Sequence, residues 1–482
     1  MSEYRLFAQR IGLTGITNLL ISLSGIILLP ILTKTLSIEE YGIWAQIIVT
    51  IGLIPSIILL GLPYAMVRFL AGAKRIEEIQ EGYYSIYAIV LFASLAVTLL
   101  LFSSSGIVAS TLFDGNQTVV KILSLILFIE CLNNVQLNFF RTSQQMKKYS
   151  SFLLIQTCLN IALVVRFVSS GHGIAGAAMG ILVSRFLVFL IMVSLIVSEI
   201  GIKIPKFTNL RDYIVFGLPT IPGNLSRWVV NSSDRYVIGI LLGTAFVGYY
   251  SPGYTLGYAI YMFVAPLTII LPAILSKYYD EHKMREAKMV LKYSLKYFLL
   301  LAIPSSFGLS LLSEPLLEML STSAIAREGY LVTPFVAVGT VFFGASVIVN
   351  HVVIMEKKTA IMGSIYTLAA ILNLGLSLVL VPYIGIVGAA IATLVAYLFV
   401  FIVGIYYSFK YLRFDVDLLF ISKSIFASIA MSFVIIIWNP EGGLSNMMIT
   451  IGVCAFIYAA ILLLLRGMTK EELLFFKRLL RA

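Results

Sequence analysis

Charged residues are scarce in this chain of 482 residues, and the scarcity excludes a water-soluble protein. Only 12% of the residues are charged, against roughly 25% in an ordinary soluble domain. The hydrophobic fraction is 60% and the mean hydropathy is +0.99, more apolar surface than a soluble core can bury. No stretch is long and polar enough to form a separate soluble domain. The composition therefore predicts an integral membrane protein.

Cysteine pairs and catalytic motifs are lacking as well. Cys131, Cys158 and Cys454 lie inside apolar runs without a CxxC spacing, so we predict neither a disulfide framework nor a metal site and take all three as packing residues. The chain has no GxxxxGK[ST] phosphate loop and no HExxH motif. We expect a protein that is not an enzyme, that uses no cofactor, and that draws any energy from an ion gradient, the membrane potential or its substrate's own gradient.

Apolar runs of about twenty residues recur along the whole sequence, each long enough to cross about 30 Å of hydrocarbon. The first run continues well past signal-peptide length after Arg5 and Arg10, so we expect the first helix to be retained. Charged or turn-rich breaks divide the chain into about fourteen predicted transmembrane helices. They lie near residues 11–33, 42–62, 82–104, 119–139, 150–168, 175–198, 214–242, 246–275, 290–312, 329–352, 360–381, 386–408, 418–438 and 446–466.

Basic residues cluster in alternate connections between the predicted helices. One side of the membrane receives most of them, whereas the connections on the other side hold little beyond Lys34, Lys121 and Arg327. By the positive-inside rule, this asymmetry predicts that both termini lie in the cytoplasm. We therefore expect the protein in the cytoplasmic membrane. Because this distribution accounts for most of the net charge of +11, we predict no nucleic-acid partner.

The end of the chain has a different pattern from the transmembrane runs. Thr469-Lys-Glu-Glu472 forms a capping-box pattern, and the following LLFFKRLLRA interleaves leucine and phenylalanine with basic residues. We expect residues 467–482 to form a short amphipathic helix that lies on the cytoplasmic face as an anchor.

Several landmarks recur at nearly constant offsets. Gly173-Ile-Ala-Gly-Ala-Ala returns 212 residues later as Gly385-Ile-Val-Gly-Ala-Ala, and Tyr41-Gly42 corresponds at an offset of 206 to Val247-Gly248. Asn18 matches Asn224 at the same offset. Six predicted helices separate the copies, so the repeats share one orientation. The predicted organisation is an N-terminal bundle at 1–200, a C-terminal bundle at 201–410, two added helices at 411–466 and the amphipathic helix at 467–482.

The seventh predicted helix carries the most polar groups. Its polar residues recur at spacings of three or four, which places them on one face of a helix. They are Thr220, Asn224, Arg227, Asn231, Asp234 and Arg235. Prolines and glycines at 217–223 should kink the cytoplasmic half of this helix and free backbone groups for a cavity.

A second polar stripe lies in the fourth helix, where Glu130 and Asn134 lead towards Arg141, and Arg185 falls in the middle of the sixth. We rank Arg227 and Arg185 highest as binding residues because nothing nearby in sequence neutralises them. For Asp234 and Arg235, an ion pair that joins two helices is an equal alternative to ligand contact. For Asn18, Asn160 and Asn373 we favour hydrogen bonds between helices.

The intramembrane charges lean towards cations. Arg185, Arg227 and Arg235 stand against the carboxylates of Glu130 and Asp234. Guanidinium groups bind phosphate oxygens through two parallel hydrogen bonds, so this bias favours an anionic headgroup as the substrate.

The stretch from Gly217 to Tyr254 resembles the Wzx-type polysaccharide flippases of the multidrug, oligosaccharidyl-lipid and polysaccharide exporter superfamily. The similar segments are Leu36-Ser37…Glu40-Tyr41-Gly42, Asn231-Ser-Ser-Asp234-Arg235-Tyr236 and Val247-Gly248-Tyr-Tyr250-Ser251. The resemblance implies two helical bundles around a cavity with alternating access, and a polyprenyl-pyrophosphate-linked oligosaccharide as substrate. It also implies that cavity arginines bind the lipid pyrophosphate or acidic sugars, at Arg227 and Arg235 by position. The several first-helix arginines typical of lipid II flippases have no clear counterpart.

The sequence thus predicts an all-α polytopic membrane protein with two pseudo-symmetric six-helix bundles around a central cavity and two C-terminal helices. We predict a flippase for lipid-linked oligosaccharide in polysaccharide biosynthesis. Its partners would be that substrate, membrane lipids, and a glycan polymerase or glycosyltransferases. Two alternatives stay open: an ion-coupled multidrug or small-solute antiporter, and a non-transporting scaffold for glycosyltransferases. The candidate substrate-binding residues are Arg227, Arg185, Arg235, Asn224 and Asn231, and the candidate ion-coupling residues are Asp234 and Glu130.

Overall fold

The computed structural model describes residues 2–438 and 443–467, with side chains except at 2–14, 16, 18 and 19. The predicted amphipathic helix at 467–482 therefore lies outside the described residues except for its first residue, and so do the side chains of Arg5, Arg10 and Asn18. Within the described ranges every regular element is a helix. The all-α prediction is confirmed.

The elements are numbered here in chain order. The first eight helices are α1 (Ser2–Thr35), α2 (Ile38–Ile58), α3 (Leu62–Leu70), α4 (Ile76–Ser103), α5 (Ser105–Leu112), α6 (Gln117–Thr142), α7 (Met146–Ser169) and α8 (Gly173–Ile200). Next come α9 (Leu210–Gly217), α10 (Ile221–Ser232), α11 (Asp234–Leu241), α12 (Thr244–Tyr258), α13 (Ala265–Asp280), α14 (Met284–Leu311), α15 (Ser313–Leu320) and α16 (Ser323–Gly329). The last are α17 (Val332–Met355), α18 (Thr359–Ile384), α19 (Ile386–Tyr411), α20 (Leu418–Trp438) and α21 (Leu444–Leu464).

Twelve helices of the described ranges are long and apolar enough to cross a membrane. They coincide with twelve of the predicted spans, and α12 and α13 form one of them, Thr244–Asp280. The predicted first span corresponds to α1, whose apolar part is Leu20–Thr35. The predicted seventh span corresponds to the interrupted segment α9–α11. The polytopic prediction is confirmed, and the count of fourteen holds only if these two segments are included.

The start of α2 shows how local sequence fixes a helix end. Ser37 and Glu40 form a capping box in which the Glu40 N–H donates to Ser37 Oγ at 3.2 Å and the Ser37 N–H donates to Glu40 Oε2 at 3.1 Å. The other carboxylate oxygen of Glu40 accepts from the N–H of Ile174 at 3.1 Å. One carboxylate thus satisfies backbone donors at the first turns of α2 and α8.

The chain forms two compact units. Unit 1 contains the described residues of Met1–Ser251 and Tyr366–Ala392, and unit 2 contains those of Pro252–Ile365 and Thr393–Ala482. The core of unit 1 includes Met66, Ile86 and Phe140, packed between α3, α4 and α6. The core of unit 2 joins α14, α17 and α20 through residues such as Leu291 and Val349. The polar residues of the predicted site all fall in unit 1.

The first turns of α2 and α12 cross in unit 1 with almost no space between their backbones. A Cβ added to Gly42 would overlap the carbonyl oxygen of Thr244, and one added to Gly248 would overlap the carbonyl oxygen of Ile38. Gly42 and Gly248 are related by the offset of 206, and so are Ile38 and Thr244. Reciprocal contacts of this kind are what a two-fold relation produces. The crossing therefore supports a pseudo-two-fold relation between the two repeats.

Candidate functional site

The interrupted segment α9–α11 positions the polar residues of the seventh predicted span. A 3₁₀ turn at Leu218–Thr220 separates α9 from α10, with Pro219 inside it and Pro222 in the first turn of α10. Proline has no N–H to donate to the helix ladder and its ring displaces the preceding turn. The kink predicted from these prolines is confirmed.

A second Gly-Leu-Pro step lies against the first. Gly61-Leu62-Pro63 begins α3, and Gly217-Leu218-Pro219 ends α9. A Cβ on Gly61 would overlap the carbonyl oxygen of Gly217, and a Cβ on Gly217 would overlap that of Leu60. Gly61 also has φ +68°, which glycine adopts without strain. Only glycine at both positions allows the two backbones to lie this close.

Aromatic contacts and one hydroxyl continue the contact between α3 and α9. The Phe69 ring centroid lies 5.3 Å from that of Tyr213 and 5.6 Å from that of Phe216, distances typical of favourable aromatic pairs. Thr220 Oγ1 donates to the Gly217 carbonyl at 2.7 Å and adds a side-chain hydrogen bond at the 3₁₀ turn. These contacts hold α3 rigidly against the segment that carries Asn224 and Arg227.

Arg227 is exposed on α10 and lies against an aromatic ring. Its Cζ is 5.0 Å from the ring centroid of Tyr366 on α18, within the range of a cation–π contact. Beside it, the hydroxyls of Ser226 and Thr367 are 3.1 Å apart. One turn before Arg227, Asn224 Oδ1 accepts a hydrogen bond from the Tyr64 hydroxyl at 3.4 Å. Arg227, Asn224, Tyr64 and Tyr366 therefore form one continuous surface, which we call the Arg227 surface.

Among the described side chains, no carboxylate lies within ion-pair distance of Arg227, although it belongs to a predicted transmembrane segment. A charged side chain at that depth is costly in lipid and normally faces water, a protein interior or an ionic partner. Because the Arg227 side chain is exposed in unit 1, it is available to an anionic ligand.

Trp228 and Tyr236 attach α10 and α11 to α2. Trp228 Nε1 donates to the Val49 carbonyl at 3.0 Å, and the Tyr236 hydroxyl lies 2.5 Å from Thr50 Oγ1. The two aromatic rings also contact each other at 5.7 Å. The face of α10 that packs on α2 is thus fixed, which leaves Arg227 on the open face.

Asp234 and Arg235 form a sealed ion pair. Arg235 Nη1 donates to Asp234 Oδ1 at 2.8 Å and to the carbonyl of Asn231 at 3.1 Å. The Tyr250 hydroxyl donates to the other carboxylate oxygen of Asp234, and the Arg235 guanidinium lies over the Tyr250 ring. The side chains are 9% and 2% exposed for Arg235 and Asp234. Both residues belong to α11, and the Tyr250 hydroxyl connects their ion pair to α12.

Glu130 and Arg185 form a third group. Arg185 Nη1 donates to Glu130 Oε2, with side chains that are 18% and 13% exposed, respectively. With its amide oxygen turned to the guanidinium, Gln156 accepts from Arg185 Nε at 3.1 Å. Asn134 Nδ2 donates to Glu130 Oε1 at 3.3 Å, and Asn133 Nδ2 donates to the Arg185 carbonyl at 3.1 Å.

The structure thus divides the predicted site into three groups. The residues of the seventh span were expected on one helical face, but α10 ends at Ser232 and α11 begins at Asp234. Ser233, the one residue between them, keeps helical backbone angles and its N–H donates to the Val229 carbonyl. Arg227 is exposed and Asn224 is half-buried, whereas Asp234 and Arg235 are buried against α12. Arg185 was expected to lack a neutralising group, and the structure supplies Glu130 from another helix. The Arg227 surface is the one group that leaves a cation accessible among the predicted site residues.

Sequence analysis missed Tyr64 and Tyr366. Tyr64 follows the end predicted for the second span at residue 62, where the structure continues as α3. The signal was the recurrence of Gly-Leu-Pro at 61–63 and 217–219. Tyr366 offered no signal, because it lies in an apolar run of the eleventh predicted span.

Unit 2 contains a cavity of about 1110 Å³ between α14, α17, α19 and α20. Its walls are mostly apolar side chains such as Phe307, Phe342 and Phe401. Charged groups also line it: Lys292 Nζ is 3.6 Å from Asp415 Oδ2, and Arg413 contributes to the lining. The arrangement suits an apolar chain with a polar terminus.

Comparisons with known proteins agree on one family and fold. The sequence model of a family described as "Polysaccharide biosynthesis protein" matches residues 31–327. A probable low-salt glycan biosynthesis flippase, Agl15 of Haloferax volcanii, is 23% identical over 198 residues, or 41% of this chain and 42% of the relative. The chain thus matches less than half the length of that relative.

Solved structures show the fold. A lipid II flippase, MurJ, in an inward closed conformation has a TM-score of 0.77 at 18% identity, over 96% of this chain and 98% of that one. An inward-facing multidrug resistance MATE family transporter has a TM-score of 0.66 at 17% identity, over 81% of this chain and 94% of that one. Together with the residues that carry the resemblance, these findings confirm the recognition made from sequence: the chain belongs to the polysaccharide biosynthesis protein family, with the fold of the multidrug, oligosaccharidyl-lipid and polysaccharide exporter superfamily.

Proposed function

We propose that this protein is a flippase that moves a polyprenyl-pyrophosphate-linked oligosaccharide across the cytoplasmic membrane by alternating access, for polysaccharide or surface glycan biosynthesis. The observation that carries the proposal is the exposed Arg227, which lies in a predicted transmembrane segment without a carboxylate partner among the described residues. A fixed guanidinium in that setting matches a diphosphate, because planar donors bind two phosphate oxygens at once.

Three further observations support the proposal. The family and the Haloferax relative both concern glycan biosynthesis. The apolar cavity of unit 2 suits a polyprenyl chain. The distribution of basic residues favours a cytoplasmic position for both termini, which agrees with transport away from the cytoplasm. In this proposal the chain transports its substrate without chemical change and acts together with a polymerase or glycosyltransferases.

If transport is coupled to an ion, Glu130 is a better candidate than Asp234. The Glu130 carboxylate and its partner Arg185 retain 13% and 18% exposure, so water can reach the pair. Asp234 is only 2% exposed and binds Arg235 and Tyr250 at once. A cation would have to displace these two donors from the Asp234 carboxylate in order to bind there.

The experiment uses a host strain that lacks its own flippase and depends on this protein for surface glycan. We expect Arg227→Ala to lower surface glycan by at least about tenfold, whereas Arg166→Ala, an exposed arginine near the end of α7, leaves it unchanged. Both proteins must be present at the wild-type level. Wild-type glycan in the Arg227→Ala strain would falsify the proposed role of Arg227.

The antiporter alternative rests on the similarity in fold to the MATE transporter. Purified full-length protein in liposomes separates the alternatives. A flippase moves fluorescent lipid-linked oligosaccharide between leaflets and leaves cationic dyes in place. An antiporter does the reverse, and a scaffold moves neither.

A further inference from the structure

The Arg227 surface includes a tyrosine that neither the sequence nor the fold explains. Tyr64 lies on α3 with 48% of its surface exposed, and its hydroxyl reaches Asn224 on α10. Asn224 lies three residues before Arg227, so the two side chains project from the same helical face with Cβ atoms about 5–6 Å apart. An aromatic ring, an amide and a guanidinium are thus neighbours.

The backbone that carries the Tyr64 ring is held in place before any ligand arrives. Gly61 and Gly217 bring the start of α3 against the end of α9, and Phe69 packs on Tyr213 and Phe216. The residues around Tyr64 on α3 are anchored, since Leu62, Ala65 and Met66 are fully buried. A side chain whose backbone is already ordered loses little conformational entropy when it binds a ligand.

The chemistry of these three groups suits a sugar joined to a phosphate. A pyranose has a face of C–H groups that packs on an aromatic ring, and hydroxyls around its edge that need donors and acceptors. The ring of Tyr64 offers the first, and the amide of Asn224 offers both kinds of hydrogen-bonding group. Arg227 would take the anionic group at the reducing end. The spacing of Asn224 and Arg227 corresponds to about one sugar unit.

We propose that Tyr64 and Asn224 form a sugar-binding subsite beside Arg227 that contacts the first sugar of the substrate, the one attached to the lipid diphosphate. This inference rests on the proposed function and deepens it, because it assigns selectivity for the membrane-proximal sugar to two residues. Tyr64 then acts as a platform for the sugar ring, and Asn224 contacts a hydroxyl or amide on that ring.

A competing explanation is that Tyr64 is one of the tyrosines that anchor helices at the membrane interface. An anchor interacts with lipid headgroups in the same manner whatever the substrate carries. A sugar platform, by contrast, affects only substrates that carry a sugar. Tyr383 provides a matched control, since it is a tyrosine of unit 1 with 84% of its surface exposed, near the end of α18.

The test measures binding to purified full-length protein in lipid nanodiscs. Two probes are compared: polyprenyl diphosphate, and the same lipid carrying one N-acetylhexosamine. We expect Tyr64→Ala and Asn224→Ala each to weaken binding of the sugar-bearing probe by about tenfold and to change binding of the bare diphosphate by less than about twofold. Tyr64→Phe keeps the ring and should keep most of the preference. Tyr383→Ala should alter neither affinity, and Arg227→Gln should weaken both.

The outcomes separate the two proposals. If wild-type protein binds the two probes equally, or if Tyr64→Ala weakens both by the same factor or neither, the sugar subsite is wrong while the flippase stands. If wild-type protein binds neither probe, the proposed function itself fails. Thermal melting of Tyr64→Ala identifies misfolding, and in that case Asn224→Ala and Tyr64→Phe still decide between the outcomes.

Discussion

Two arginines of the predicted transmembrane helices have different surroundings in the structure. Arg185 and Arg227 both fall inside predicted transmembrane helices, yet Arg185 is paired with Glu130 and Arg227 lies exposed against Tyr366. The difference decides their roles. A neutralised arginine in contact with Gln156 stabilises the packing of α6, α7 and α8, whereas an exposed one is available to substrate.

The Glu130–Arg185 pair gives a prediction about stability. Arg185→Met leaves the Glu130 carboxylate without its counter-charge, so we expect a loss of about 3 kcal/mol in the free energy of unfolding. The double variant Glu130→Gln/Arg185→Met should recover part of that loss because no unpaired charge remains. Unfolding in detergent, followed by fluorescence for all four members of the cycle, measures the coupling. Strict additivity of the two substitutions would contradict the pairing.

Tyr250 gives a second prediction at this scale. Its hydroxyl donates to the buried Asp234 carboxylate, and removing a hydrogen bond to a buried charge costs about 1–3 kcal/mol. We expect Tyr250→Phe to lower the melting temperature of the purified protein. Tyr249→Phe is the matched control, because the neighbouring Tyr249 is only partly buried and packs on Phe246. An equal effect of the two substitutions would argue against a structural role for the Tyr250 hydroxyl.

At the scale of elements, close backbone contacts depend on particular glycines. Gly42 and Gly248 let α2 and α12 cross, and Gly61 and Gly217 let α3 meet α9. The second contact carries the proposed site, since it fixes Tyr64 relative to Asn224. The first relates the two repeats, since its four residues are equivalent in pairs at the offset of 206.

The close crossing of α2 and α12 predicts that one methyl group added at Gly42 or Gly248 strongly lowers the free energy of unfolding. Gly42→Ala places a Cβ on the Thr244 carbonyl, where neither backbone can yield without separating the helices, so we expect a loss of at least about 2 kcal/mol. Gly248→Ala should resemble it because the contact is reciprocal. Gly375→Ala in α18 meets nothing within 4 Å and should be neutral or slightly stabilising. Melting temperatures of the three variants, measured side by side, test the contact.

At the scale of the whole molecule, transport in one direction requires a defined orientation of the chain in the membrane. The charge distribution predicts that the turn around Asp114 lies outside the cell and that the turn around Gln144 lies in the cytoplasm. In a variant whose three cysteines are replaced by alanine, we expect Asp114→Cys to react with a membrane-impermeant maleimide in intact cells. Gln144→Cys should react only after the membrane is permeabilised. The opposite pattern would reverse the proposed direction of transport.

The class of protein and the positions of most helices could be predicted from the amino-acid sequence. A bilayer requires about twenty consecutive apolar residues for each span, and basic residues mark one side, so both signals are local and can be identified along the chain. The interruption of the seventh span was also local, because Pro219 and Pro222 act on their own turn of helix.

Which polar residues are accessible depends on tertiary packing and could not be predicted from local sequence. Glu130 and Arg185 are 55 residues apart in sequence, and Tyr64 and Asn224 are 160 apart, so no local pattern indicates that they meet. Arg227 is exposed and Asp234 is buried although both occur at helical spacing. Whether an intramembrane charge is paired or exposed depends on the neighbouring helices that pack around it, and their contacts form only when the bundle is assembled.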